Sequence, residues 1–153
     1  MHDIGLRGAY ESNARMKWMW EVGANYHFMP EFERNGFDKT WKKIRKELKG
    51  KWLYISVDID VMEPAAVPGT SNPEIGGFTT LELMRILREL TLQNEVLLID
   101  FVEYSPLLDD NRYNTAITVS RLMRHVLAAK AARKQGITDP DYIVPEMLKN
   151  NAG

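Results

Sequence analysis

Cysteine is absent from the 153 residues, so the chain forms no disulfide and holds no thiolate-bound metal. Histidine is scarce as well, with His2, His27 and His125 the full complement. Each reads as a packed or surface histidine rather than a ligand. No run approaches the ~20 apolar residues of a membrane-spanning helix, and the N-terminus lacks a signal-peptide hydrophobic region, so the cytoplasm is the expected compartment. An excess of charge of one sign is also missing. A formal net charge of -1, with 27% charged and 44% hydrophobic residues, describes a globular domain and gives no electrostatic case for nucleic acid or an anionic membrane as partner. The basic cluster Lys42-Lys43-Ile44-Arg45-Lys46 reads as the solvated face of a helix. Internal repeats and low-complexity segments are not found.

What is present alternates between strand-like and helix-like patterns, which predicts an α/β fold with a mainly parallel sheet. Strands are expected at 4–6, at 26–29 where Pro30 stops the run, at 52–57 as a buried strand, and at 95–102. Between them, Ser12 is placed to cap a helix with Met16, Met19 and Trp20 at its apolar positions. Residues 38–49 form an amphipathic pattern with Trp41, Ile44 and Leu48 on one face and Gly50 at its stop. Thr79-x-x-Glu82 has the form of a capping box and precedes Leu83, Ile86, Leu87 and Leu90 at helical spacing. A long helix is expected at 112–134, with Ile117, Val119, Leu122, Met123, Val126 and Leu127 inward and Gly136 at its end. The domain is expected to occupy 1–137, and 138–153 to form a tail with apolar side chains suited to subunit contact or to docking on its own fold.

Chemistry concentrates after the third strand. Ser56-Val57-Asp58-Ile59-Asp60-Val61-Met62-Glu63-Pro64 leads into Val67-Pro68-Gly69-Thr70-Ser71-Asn72-Pro73-Glu74-Ile75-Gly76-Gly77. An ionised aspartate at the end of an apolar strand is costly unless a cation or several donors meet it. Strand residues alternate faces, so an extended Asp58-Ile59-Asp60 would point both carboxylates to one side, toward a shared ion. In parallel α/β sheets ligands gather at the carboxyl ends of strands, where this pair falls.

This stretch resembles the metal-binding signature of the ureohydrolases, the family of arginases, agmatinases and related amidinohydrolases. The pattern is aspartate, any residue, aspartate, two residues, an acid and proline, followed by a Pro-Gly-Thr loop that closes on Pro-x-x-Gly-Gly. Ile4-Gly5-Leu6-Arg7 and Leu98-Ile99-Asp100-Phe101-Val102-Glu103-Tyr104-Ser105-Pro106 resemble the strands on either side of it, and the likeness covers most of residues 3–133. It implies the C-terminal portion of an arginase-like three-layer α/β/α fold. A complete ureohydrolase domain is about twice as long as this chain, and its first half carries histidine and aspartate elements that are not found here.

The resemblance further implies a hydrolase that converts a guanidino compound to urea and an amine with two divalent metal ions, Mn2+ first and Ni2+ as the alternative. Asp58 and Asp60 would be metal ligands. Glu103 would bind the guanidinium and take part in catalysis, and Asn72 would contact substrate. Asp100 has no family role and reads as structural. The expected partner is an N-terminal half or complementary subunit, within a homo- or hetero-oligomer of trimeric or hexameric order, and the chain alone is expected to be inactive. A non-catalytic interaction or regulatory subunit with the same fold is the alternative, and an unrelated metal-dependent α/β hydrolase is a third reading. Glu63 stands where the family has aspartate, Ser71 where it has glycine and Asn72 where it has threonine. These departures point away from arginine and agmatine, toward another small guanidine.

Overall fold

The structure is a computed structural model and describes residues 1–8 and 12–142. Strand β1 (His2–Leu6) leads through α1 (Asn13–Glu21) to β2 (Asn25–Phe28), and these two strands pair in parallel. Helices α2 (Met29–Asn35) and α3 (Phe37–Leu48) follow, then β3 (Trp52–Asp58) and a single 3-10 turn, Ile59–Val61. Helix α4 (Thr80–Gln93), strand β4 (Glu95–Val102) and helix α5 (Asn114–Lys134) complete the order, with β3 and β4 paired in parallel. This is an α/β fold with parallel strand pairs. The described strands form two separate two-stranded sheets, β1-β2 and β3-β4.

All four strands run the same way. Arg7, just past the end of β1, donates to the carbonyl of Met62, just past the end of β3. At the other end, His2 of β1 clusters with Glu47, which precedes β3. Parallel strands require crossovers, and the helices supply them.

The local signals account for most element boundaries. Thr79 and Glu82 form the expected reciprocal capping box at the start of α4, and Leu83, Ile86, Leu87 and Leu90 are all buried. Ser12 caps α1 through the amide of Arg15, at 3.4 Å. Gly50 and Gly136, past the ends of α3 and α5, have positive φ, the backbone conformation that ends helices most readily.

Three expectations are corrected. Pro30 does not close a strand but opens α2, where its fixed φ and missing N–H suit the first helical turn. Helix α1 buries none of its residues, and Trp20 lies exposed. On α5 the buried stripe is Thr115, Val119, Leu122, Val126 and Ala129, while Ile117, Met123 and Leu127 are exposed. That helix packs chiefly on α4, which covers one narrow face.

The core lies on one side of the β3-β4 pair. Leu53, Ile55, Val57, Ile99 and Phe101 pack against Trp41 and Ile44 of α3, Leu83, Ile86, Leu87 and Leu90 of α4, and Leu122 and Val126 of α5. The other side is open: Trp52 is 76% exposed, Tyr54 61% and Leu98 59%. The 52–57 strand is therefore buried on one face rather than two. No helix among the described residues is long and apolar enough to cross a membrane. The start of the tail docks on its own fold, with Arg88 donating to the carbonyls of Pro140 (2.5 Å) and Tyr142 (2.6 Å). Residues 143–153 of the expected tail lie outside the described residues.

Candidate metal centre

β3 ends at Asp58, and the chain turns there instead of continuing extended through Asp60. The Asp58 carboxylate accepts a hydrogen bond from the Asp60 amide at 3.2 Å and so caps the 3-10 turn, while Ile59 is driven fully into the core. The two carboxylates are thus brought together by a capped turn, not by strand alternation, because the cap satisfies an amide that an extended chain would leave without a partner at this sheet end. Burial pushes the Asp58 carboxyl up to about 6, with the negative charge of Asp60 next in weight and Glu103 adding to it. Asp60 is raised too, chiefly by burial, although its hydrogen bond with Asp58 and the charge of Arg7 pull the other way.

Glu103 reaches the same place from the neighbouring strand. Asp58 is in register with Val102, the last residue of β4, so Glu103 follows at the same sheet end. Its backbone adopts φ 63, a left-handed conformation uncommon for a residue with a side chain. Strain of this kind persists where surrounding structure enforces it, and it concentrates at functional sites. The enforcing contacts are visible: Thr70 bridges Tyr104, Ser105 N donates to the Gly69 carbonyl at 2.8 Å, and Ser71 Oγ donates to Glu103 Oε2 at 3.2 Å. Asn72 is exposed and lines a cleft that Asp58 and Asp60 also line. All four sequence-predicted site residues therefore gather at the carboxyl ends of β3 and β4.

Arg7 carries a role that the sequence did not announce. Its guanidinium donates to the carbonyls of Asp60, Met62 (3.2 Å), Glu74 (2.6 Å) and Ile75 (3.1 Å), which ties the end of β1 to both ends of the glycine-rich loop. The planar fork of arginine suits such a set of acceptors, and no acidic partner in the sequence advertises it. Where the loop closes, Gly77 has no room for a side chain, since a Cβ there would lie 2.5 Å from the Met62 carbonyl carbon. Asp3 of β1 was also missed: burial raises its carboxyl, and the charge of Asp58 raises it further. Asp100 accepts from Tyr54 Oη at 2.6 Å on the open face of the sheet, consistent with a structural role.

The histidines take no part in this centre. His2 Nδ1 and His27 Nε2 lie 3.1 Å apart with their rings stacked, near Glu47. Burial lowers the pKa of both rings, and two neutral imidazoles satisfy one another as donor and acceptor. His125 is exposed on α5.

Asp58 and Asp60 offer hard oxygen donors whose ionisation is opposed by burial and by mutual repulsion. A divalent cation relieves both costs, so the pair fits a metal of the manganese or magnesium type. Two carboxylates are fewer ligands than such an ion takes, and the rest of the shell must come from elsewhere.

Residues 1–129 match the family model described as the arginase family. The chain belongs to that family. It is 38% identical over 109 residues to the guanidinopropionase of Pseudomonas aeruginosa, covering 69% of this chain and 33% of that protein. It is 30% identical over 128 residues to an agmatinase of Bacillus anthracis, covering 83% and 41% respectively. Among solved structures, the proclavaminate amidino hydrolase of Streptomyces clavuligerus superposes with a TM-score of 0.74 at 31% identity, over 87% of this chain and 42% of that one. This arginase-family chain thus spans well under half the length of the relatives it matches, and it corresponds to their C-terminal portion.

Proposed function

We propose that this chain supplies the Asp58, Asp60 and Glu103 side of an amidinohydrolase that converts a guanidino compound and water to urea and an amine. The remaining ligands would come from the portion of the family domain that the chain does not span. The observation that carries this reading is the convergence of three carboxylates at the ends of two adjacent parallel strands, with Glu103 held in a left-handed conformation.

Asp58 and Asp60 would hold divalent ions, manganese by preference for hard oxygen ligands and nickel as the alternative. Such ions, when bound, lower the pKa of a coordinated water so that hydroxide is available near neutral pH. The chain's own residues do the rest of the positioning. Glu103 accepts two hydrogen bonds from the planar guanidinium, a charge-assisted arrangement that fixes the orientation of the substrate. Ser71 steadies that carboxylate, Asn72 offers amide donors and an acceptor to the substrate, and Arg7 keeps the loop closed over the site. Ser71 and Asn72 favour a small guanidine other than arginine or agmatine. The working assembly on this reading is a cytoplasmic homo- or hetero-oligomer of trimeric or hexameric order, and this chain alone is inactive.

The test is co-expression of the chain with the unmatched portion of the Pseudomonas aeruginosa guanidinopropionase, followed by elemental analysis and a urea-release assay over a panel of guanidines. About two manganese or nickel ions per pair, lost in Asp58→Asn and Asp60→Asn, support the reading. A pair that binds metal normally but releases no urea from any guanidine favours the second reading, a non-catalytic subunit. That alternative draws on one observation: none of the chain's histidines reaches the carboxylates.

A further inference from the structure

A second cluster of ligand-type side chains lies at the opposite end of the strands from Asp58 and Asp60. His2 of β1, His27 of β2 and Glu47 in the last turn of α3 each offer a donor atom, and these atoms all lie within 4.8 Å of one another. No spaced motif marks the cluster, because the three residues meet only in the folded chain. His27 is in register with Ile4, so it shares a face of the β1-β2 pair with Ile4 and, two residues earlier, with His2. Helix α3 brings Glu47 to them. The run from His2 to Arg7 spans roughly 16 Å of extended chain, which sets the cluster apart from the carboxylate centre.

We propose that His2, His27 and Glu47 form a binding site for one zinc-type ion, distinct from the Asp58 and Asp60 centre, that ties β1, β2 and α3 together. The two imidazoles already stand close to ligand spacing. His2 Nδ1 and His27 Nε2 are 3.1 Å apart, and two nitrogens bound to one tetrahedral zinc at about 2.0–2.1 Å lie roughly 3.4 Å from each other. A small separation and a tilt of the rings suffice to admit the ion. Contact between two ring nitrogens requires one bare lone pair, so one of these atoms is a ready ligand. The other becomes one when its proton moves to the far nitrogen of the same ring. Both rings then bind as neutral imidazoles with no net loss of protons.

The third ligand and the surroundings fit the same ion. His27 is 7% exposed, whereas Glu47 is exposed and carries a flexible side chain. The buried ring sets the position, and the carboxylate closes on the ion from the solvent side. Imidazole nitrogens select zinc, nickel or copper over magnesium and calcium, and three protein ligands leave one tetrahedral position for water. Glu31 and Lys43 also act on His27 with opposite signs, so Glu47 supplies the charge that meets the cation. The β1-β2 pair stands to gain from such a cross-link, because its crossover helix α1 buries none of its residues.

The test is metal binding by the full chain carrying Asp58→Asn and Asp60→Asn, which silences the carboxylate centre. Zn2+ is titrated by calorimetry, and Co2+ serves as the optical probe. One ion per chain is expected, with the visible bands of four-coordinate cobalt. Added to this background, Glu47→Gln should weaken Zn2+ binding by at least about tenfold, and His2→Ala should abolish the cobalt spectrum. Neither side chain is fully buried, so the metal-free urea midpoints of both variants should match that of the parent. Zinc at about a hundredfold excess over its Kd should raise the midpoint of the parent and leave His2→Ala unmoved. Absence of stoichiometric uptake in the parent, or uptake that Glu47→Gln and His2→Ala leave unchanged, overturns the proposal. Urea release plays no part in these readouts, so the site stands or falls independently of the reading under Proposed function.

Discussion

Ser71 Oγ and Glu103 Oε2 lie 3.2 Å apart, joining the glycine-rich loop after β3 to the carboxylate that follows β4. The contact is exposed, so its worth is positional more than energetic. It ties to the loop a strained residue whose charge is felt at Asp58 and Asp60.

That strain is measurable. Glu103 stands at φ 63, where a side chain costs roughly 1–2 kcal/mol and glycine costs nothing sterically, although glycine loses about 0.5–1 kcal/mol of chain entropy on folding. Glu103→Gly is expected to stabilise the chain slightly, by about 0.5–1 kcal/mol, read as a small rise in the urea midpoint, while weakening guanidine binding in the assembled enzyme. Glu103→Gln keeps the strain and should raise KM with metal content unchanged. A marked loss of stability in the glycine variant would contradict the strain argument.

Glu89 is almost fully buried and accepts from Trp41 Nε1 (2.7 Å), Arg85 Nε (2.9 Å) and Arg45, which ties α3 to α4. Removing the carboxylate leaves the buried indole N–H of Trp41 and the mostly buried guanidinium of Arg45 without their partner, while Arg85 keeps Asp38. Glu89→Ala is expected to cost about 2–4 kcal/mol, read as a fall in the urea midpoint at unchanged m-value. Arg85 is partly exposed and recovers water, so the effect should stay below that of a fully enclosed pair.

The fold also carries an acid-sensitive cap. No side chain of Tyr113 caps α5, and Asp109 instead accepts from the amides of Thr115 and Ala116, both at 3.1 Å. Burial alone would raise the Asp109 carboxyl, but these backbone donors outweigh it and hold it below its ordinary value. The stabilisation is therefore full above the unfolded-state value near 4 and is lost as pH falls through the lower folded-state value. Urea midpoints should drop below about pH 4, and the drop should be shallower in Asp109→Asn, which begins from a lower midpoint.

Arg7 offers a test of loop closure that leaves the carboxylates intact. Arg7→Lys keeps the charge but cannot span the carbonyls of Asp60, Met62, Glu74 and Ile75. Amides of residues 74–78 should exchange roughly tenfold faster, with little change along α5. Unchanged exchange in this segment would show that the loop closes without the guanidinium.

The elements whose cause lies within a few residues were legible directly. The Thr79 capping box, the Leu83, Ile86, Leu87 and Leu90 stripe, and the glycine stops after α3 and α5 follow from local hydrogen bonding and helical spacing. Asp58, Asp60 and Glu103 were also visible as strand-end carboxylates within a family-like pattern. Even there the local reading erred on means, since the aspartates meet through a capped turn and not along an extended strand.

What the sequence by itself determined is the order and type of the elements other than α2, and the identity of the carboxylates, because backbone propensity, caps and side-chain chemistry are local properties. Which faces are covered was decided only by tertiary structure. Trp52, Tyr54, Ile117 and Leu127 carry the same apolar signal as buried residues, yet they are exposed, because burial depends on which element packs against a face. The reach of Arg7 across the loop likewise appears only once distant segments are folded together, since its carbonyl acceptors lie 53 to 68 positions further along the chain.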